Sequence, residues 1–501
     1  MYQLYRDRPL LVLLMIAANI ALSAWCVFLD PVMNNDGVTY LAIAEMMLRG
    51  DWSQAFDYYS WPYYSVLIAG VAKLLSIGVE PAAYILNTIL VTSLTLAYVC
   101  IVGELSNNNR RIIVIAMVVI LFFPSITKFR SFLIRDFAYL SCYLWSLYFI
   151  FRYCSTLNKQ HLIGWLAFAA LSCLFRFEGI AFLLIAPYFL LLFSTGKFTN
   201  RRLLFTGLSI LILAVSLALM AWYVNDKYAA MIKVAQDSGK DIHTVFDLFV
   251  ASTKKQLGGE ELTLLNYAGV FAGNIGNVAY ELIRRMALFY FVFALIAYWK
   301  NIGFNSYFAK RIWIVYVVTN FIVLVCFSLY NNFLVGRYTM ATALTLLLLA
   351  PFMIERILQS YQQSTWLKRI GSILALGLLT AVSLEGMDVS SKKLHIKEAA
   401  HWLRSELPEH ASYFSNDRLL MYYSGDDVVE TLMSNHNNVH LRFLLDTKQL
   451  NDYDYVALSV NPKSKLEDDF RQTLWYIYGR PVKIFEGVKG RALFIYQTNS
   501  D

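Results

Sequence analysis

The sequence predicts an α-helical polytopic membrane protein that ends in an external soluble α/β domain, and three observations carry that expectation. The chain has 501 residues, 58% of them hydrophobic and 16% charged, with a mean hydropathy of +0.49. It is too apolar for a soluble globular protein and too long for a simple anchor. Apolar runs of spanning length recur throughout residues 1–388, whereas residues 389–501 have the composition of a soluble domain of about 110 residues, enough for a modest core. The net charge of +8 fits cytoplasmic loops and lipid headgroups in such a protein. No nucleic-acid motif occurs, so the bilayer and not nucleic acid is the expected partner.

The spans are expected near 10–29, 82–103, 112–128, 137–152, 162–175, 180–194, 203–223, 285–299, 312–329, 338–355 and 369–386, which makes about eleven. The N-terminal run has Arg6 and Arg8 before it like a signal peptide, but its length and the lack of a small-residue cleavage site indicate a retained span. The apolar run Tyr63–Ile77 is too short and holds Lys73. Counting it as a span would also place the later basic loops on the wrong side, so it is expected at the external interface. With the N-terminus inside, the loops Asn107–Arg111, Arg152–His161, Lys197–Arg202, Lys300–Arg311 and Glu355–Arg369 are cytoplasmic, and each carries at least two basic residues. The external parts are then a first loop at 30–81, a large loop at 224–284, several short turns and the C-terminal domain. In that domain Ile396–Leu403 reads as an amphipathic helix, and Tyr455–Val460, Val482–Phe485 and Ala492–Tyr496 read as strands. The six cysteines, Cys26, Cys100, Cys142, Cys154, Cys173 and Cys326, lie in or beside apolar segments and read as core-filling thiols. No Asn-x-Ser/Thr sequon occurs, which points to a bacterial inner membrane.

The most informative stretch is Asn34-Asn35-Asp36-Gly37-Val38-Thr39-Tyr40, directly after the first span. In the helix that follows, Val38, Leu41, Ala44 and Leu48 form an apolar stripe and Glu45 pairs with Arg49 at i,i+4, so it is expected to lie along the membrane surface. Asp36 falls at its N-terminus, where the helix amides favour an anion and where Asp is also a common cap.

The acid after the first span, Tyr40 four residues on, the close Arg49-Gly50-Asp51-Trp52 and the aromatic segment around Pro62 resemble the GT-C glycosyltransferases. More narrowly, the pattern resembles the branch of protein O-mannosyltransferases and the lipid A aminoarabinose transferase. That resemblance implies transfer of a hexosyl or pentosyl group from a polyprenyl phosphate carrier, such as undecaprenyl phosphate, to lipid A, another glycan or a protein on the external face. It further implies that the first-loop acid serves catalysis or acceptor binding. Ile134-Arg135-Asp136-Phe137 resembles the family's second-loop acid. Arg337-Tyr338-Thr339-Met340 resembles the place where relatives set a tyrosine on the carrier phosphate, and Leu174-Phe175-Arg176-Phe177-Glu178-Gly179-Ile180 resembles a further turn of the family. Two positions depart from the pattern: Gly37 stands where many relatives have a second acid, and Trp61 stands where some have a phosphate-binding lysine before the proline.

The expected topology places a few cations outside: Lys128, Arg130, Arg135, Arg176, Arg284, Arg285 and Arg337. Ionisable groups at span ends are costly unless paired or functional, and Arg matches phosphate oxygens with a planar fork that stays charged. Arg135, Arg176, Arg284, Arg285, Arg337 and Tyr338 are therefore the candidate carrier-phosphate ligands, against the alternative that each arginine snorkels or pairs locally. Glu178 either joins the substrate pocket or neutralises Arg176. Glycosyl transfer needs cations where the leaving phosphate gains charge and a carboxylate where the nucleophile loses its proton. By analogy with inverting glycoside hydrolases, Asp36 is the candidate base or acceptor-orienting group and Asp136 the second acid. Tyr40, Tyr59 and Trp61 are candidate pocket residues, although Tyr58, Tyr59, Trp61, Tyr63 and Tyr64 also suit an interfacial aromatic belt. Asp36 and Asp136 would hold a divalent cation if the reaction uses one, and His436 with His440 makes only a weak zinc spacing. Two other readings stay open: a lipid-linked sugar flippase, which calls for charges near mid-membrane, and an O-antigen polymerase or ligase, which explains the cations but not the Asp36 segment.

Overall fold

The computed structural model describes residues 9–183, 264–331, 334–363, 366–385, 393–408, 410–434 and 437–498. Most of the expected spans at 180–194 and 203–223 and of the 224–284 loop lies outside the described residues. The chain divides into two compact units: one holds residues 1–15, 93–126 and 138–387, and the other holds 16–92, 127–137 and 388–501.

Among the described residues, Pro9–Leu29, Val79–Leu105, Arg110–Phe129 and Tyr307–Leu329 are helices long and apolar enough to cross a membrane. Side-chain caps start the helices where the chain is polar: the Asn109 carboxamide accepts from the N–H groups of Arg111 and Ile112, and Asn158 accepts from Gln160 N–H. In the first unit, interhelical hydrogen bonds satisfy polar groups that hydrocarbon cannot. Tyr143 Oη meets Thr345 Oγ1 at 2.6 Å and accepts from Asn320 at 2.8 Å, while Trp165 Nε1 donates to Tyr316 Oη at 3.1 Å. Arg152 pairs with Glu104 at 2.9 Å, Asn305 donates to the Glu104 carbonyl at 2.9 Å, and Arg111 lies 3.9 Å from Glu355. These contacts tie together loops that the charge pattern assigns to one side of the membrane.

Two expected spans are broken. The run read as 285–299 is a 12-residue helix, Leu288–Trp299, set at 103° to the preceding helix, with Ala287 at φ +56° in the corner. At 1.5 Å per residue it covers about 18 Å, well short of a hydrocarbon core of about 30 Å. Arg284 and Arg285 therefore occupy the last turn of Leu264–Met286 and do not enter the following helix. The run read as 338–355 begins with a 3₁₀ turn, Gly336–Thr339, continues as Met340–Leu347, and bends by 47° before the next helix, Ala350–Gln363.

The second unit joins the first loop to the C-terminal segment. Its sheet has the order β1-β2-β4-β3, with β1 Tyr413–Ser415 parallel to β2 Tyr455–Val460, and with β4 Ala492–Gln497 antiparallel to both β2 and β3 Lys483–Glu486. Alternation splits the sheet between two cores. Val456, Leu458, Val460 and Tyr496 pack with Leu441, Leu444, Phe470 and Leu474 on one face. From the other face Ala457, Leu493 and Ile495 join Ile396, Ala399 and Leu403 and, in the same cluster, Val38, Leu41, Ala44, Ile68 and Ala72 of the first loop. The Asn35–Arg49 helix is consequently buried along more than the expected stripe: Tyr40, Ala42, Ile43, Met46 and Met47 are also covered, and Leu48 is exposed. Its Glu45–Arg49 pair forms at 3.3 Å, and Arg49 also pairs with Asp427 of the C-terminal segment. Gly50 ends the helix at φ +95°, a conformation that costs a residue with a Cβ. Tyr63–Leu75, 13 residues long, packs its Tyr64, Ile68 and Ala72 face against that helix.

Candidate active site

Asn34 sets up the acid cluster of the second unit. Buried, it donates from Nδ2 to the Leu133 carbonyl at 3.1 Å and accepts the Leu133 N–H on Oδ1 at 2.8 Å. One side chain thus completes both backbone groups of Leu133 and fastens the first loop to the 127–137 segment. The helix starts at Asn35, so Asp36 lies in its first turn and Asn34 holds the cap position. Asp136 opens the next helix, Asp136–Thr156, and is 5% exposed.

Gly37 lies close against the same joint. A Cβ there would come 3.2 Å from Met33 Sδ and 3.4 Å from Leu133 Cβ, so a second acid would press on the joint that Asn34 makes. Asn34→Ala is expected to leave the Leu133 N–H unsatisfied and to destabilise the protein by about 1–3 kcal/mol. Thermal unfolding in detergent checks this, and an unchanged midpoint would remove the joint from the account.

Tyr40, one turn beyond Asp36, is where the cluster meets. Its ring stands edge-on to Tyr64 at 5.1 Å and to Tyr59 at 6.1 Å, and the Arg135 guanidinium lies 5.9 Å from the Tyr59 ring. Burial, chiefly, pushes the Tyr40 phenol well above its ordinary range; neighbouring Tyr59 adds to this, as do the Asp36 and Asp136 carboxylates, and Arg135 opposes it. The aromatic segment divides: Tyr59 and Tyr64 face Tyr40, Trp61 stacks edge-on against Tyr63 at 6.0 Å, and Tyr58 is exposed and donates to the Leu432 carbonyl at 3.2 Å. Arg130, 1% exposed, donates to Ser23 and Asn19 at 3.2 Å each, and its carbonyl accepts from Asn87 at 2.8 Å. Its guanidinium ties the turn after Phe129 to the Pro9–Leu29 helix.

The other candidate cations belong to the first unit. Arg176 is buried, ion-paired with Glu178 and stacked on the Tyr338 ring at 4.3 Å, with Tyr139 at 5.8 Å. Arg337 approaches the same Tyr338 ring at 5.7 Å. Arg284 forms a forked pair with Glu281, 2.7 Å to each oxygen, and Arg285 lies 3.7 Å from the same carboxylate. A Cβ on Gly336 would run into the Arg285 guanidinium, so Arg285 lies directly against the turn that carries Arg337 and Tyr338.

Among the described residues, no group of three or more His, Cys, Asp and Glu side chains assembles into a metal site. His436 lies outside the described residues, and His440 is engaged with the rings of Phe443 and Phe414, at 5.9 Å and 5.8 Å.

Among solved structures, the chain is similar to ArnT from Cupriavidus metallidurans bound to undecaprenyl phosphate, with a TM-score of 0.53 over 97% of each chain and 13% sequence identity. The fold is GT-C. A fainter likeness is to an oligosaccharyltransferase of Archaeoglobus fulgidus tethered with an acceptor peptide, with a TM-score of 0.44 and 12% identity over 88% of this chain and 68% of that one. No protein-family model matches the sequence, and no curated protein matches it. Asp36, Tyr40, Tyr59, Arg135 and Asp136 belong to the second unit, and Arg176, Glu178, Arg284, Arg285, Arg337 and Tyr338 belong to the first. Sequence reasoning missed Asn34, the residue that fastens the acid segment. Its only signal was its place as the first residue of the Asn34–Tyr40 stretch, because its partner lies 99 residues away.

Proposed function

We propose that the protein is an integral membrane glycosyltransferase that moves a sugar from a polyprenyl-phosphate carrier to a lipid, glycan or protein acceptor on the external face of the membrane. The observation that carries this reading is the packing of Tyr40 on Tyr59 and of Arg135 on the Tyr59 ring, with Asp36 in the first turn of the Tyr40 helix and Asp136 next to Arg135, in a GT-C fold. Asp36 takes the proton of the acceptor hydroxyl as its oxygen bonds to the anomeric carbon, and the bond from that carbon to the phosphate oxygen breaks with its electron pair leaving on phosphate. Arginines offset the charge that phosphate gains. Arg135 is one proposed ligand, and Arg176, Arg284, Arg285 and Arg337 with Tyr338 are the others. Asp136 is the second acid. Tyr40, Tyr59, Trp61 and Glu178 are proposed to contact the sugar or acceptor.

Lipid and glycan profiles of a deletion strain, compared with one carrying Asp36→Asn, test the reading. Loss of a single modification in both strains, with release of undecaprenyl phosphate by the wild-type enzyme, is the expected result. Release of a pyrophosphate carrier would indicate a polymerase or ligase, and transport of a lipid-linked sugar without transfer would indicate a flippase.

The same reading places the 389–501 segment outside the inner membrane. A cysteine introduced as Glu430→Cys, in a background lacking the native cysteines, is expected to react with an impermeant reagent added from the external side. Reaction only from the cytoplasmic side would overturn that orientation.

A further inference from the structure

The acid motif is reached by a residue from the far end of the chain. Lys393, which precedes the Leu394–Glu406 helix, donates from Nζ to Asn35 Oδ1 at 3.1 Å, at the first residue of the helix that carries Asp36. Its own carbonyl accepts the Ile396 N–H at 2.9 Å, and the helix behind it is anchored by Ile396, Ala399, Ala400 and Leu403 in the core shared with the first loop. Further contacts within the same unit hold the two segments in register. The Met33 N–H donates to Tyr423 Oη at 3.0 Å, Tyr422 Oη donates to Glu80 at 2.7 Å, and Arg49 pairs with Asp427. The ammonium is thus delivered by a packed scaffold, not by a free tail.

We propose that Lys393 is a positioning residue of the Asp36 site, fixing the first turn of the Asn35–Arg49 helix through its charge-assisted hydrogen bond to Asn35. The proposal rests on the reading of Asp36 as the base. It makes the C-terminal segment part of the transfer machinery. Burial lowers the Lys393 pKa from its ordinary value; Asp417, Asp30 and Asp36 oppose that shift, and Arg491 reinforces it. His395 and Glu398 follow on its own helix. The sign is definite: a lysine whose pKa is depressed loses its charge as pH rises, below the ordinary lysine range. Transfer should therefore decline at alkaline pH as the charge-assisted bond to Asn35 weakens.

The test uses membranes of the deletion strain expressing each full-length variant, with their endogenous lipid donor and acceptor. It follows the initial rate of forming the product that deletion removes, from about pH 6 to about pH 10. Lys393→Gln is expected to slow transfer roughly tenfold at neutral pH and to lack the alkaline decline. Lys393→Arg should stay within about threefold of wild type and keep its rate where the wild type declines, because guanidinium does not titrate there. Wild-type rate and pH profile in Lys393→Gln, with Asp36→Asn inactive, would overturn the proposal alone. Full activity in Asp36→Asn would overturn the base reading and this proposal with it. If Lys393→Gln does not fold, the Lys393→Arg profile decides, and an alkaline decline identical to wild type overturns the proposal.

Discussion

Asp36→Asn is expected to abolish transfer, with a fall of about 10²–10⁴-fold in rate, while the protein still folds and inserts. The change is nearly isosteric and removes only charge and basicity. Asn34 and not Asp36 occupies the cap position of the Asn35–Arg49 helix, and Asp36 lies in its first turn. What the helix loses is a first-turn anion, a term of about 0.3–1 kcal/mol. The core formed by Val38, Leu41 and Ala44 stays intact. Turnover of purified enzyme with donor and acceptor from the native membrane, alongside its thermal midpoint, is the measurement. A near-normal rate would reduce Asp36 to a helix-terminus charge.

Arg337→Ala is expected to weaken binding of undecaprenyl phosphate roughly tenfold or more, the loss of a charge-assisted contact of about 1.5–3 kcal/mol. Arg337 sits on a 3₁₀ turn at a helix entrance, with its guanidinium near the Tyr338 ring. Arg337→Lys should restore part of the affinity, because ammonium keeps the charge and loses the fork. A snorkelling arginine would tolerate lysine fully and leave carrier binding unchanged. Binding of undecaprenyl phosphate to both variants in nanodiscs decides between the two. Wild-type affinity in both would exclude Arg337 and move the assignment to Arg284 or Arg285.

Much of the local structure was legible. Composition and apolar runs announce the membrane helices, the Glu45–Arg49 spacing and Gly50 mark the body and end of the first-loop helix, and alternation marks β2 and β4. The three-residue strand β1 was not legible, because so short a run has no period and takes its strand character from β2 beside it. Nor was the corner at Ala287, since Arg284, Arg285 and the apolar run after them read as one entering helix until the 103° bend separates them. The structural role of Arg130 was hidden for a similar reason: its partners Asn19 and Ser23 look like ordinary polar interruptions in an apolar span.

By itself, the sequence determined what depends on neighbours along the chain: its membrane class, the helices and main strands, and the acid motif after the first span. Those properties come from periodicity, caps and burial of apolar surface, which act within a few turns. Only the tertiary structure decided which distant residues serve that motif. The Asn34–Leu133 joint, the Tyr40–Tyr59–Tyr64 group beside Arg135 and the Lys393–Asn35 contact join segments tens to hundreds of residues apart. A hydrogen bond or an ion pair acts over a few ångströms of space and leaves no spacing rule in the sequence, so these contacts exist only once the first loop and the C-terminal segment bury one core between them.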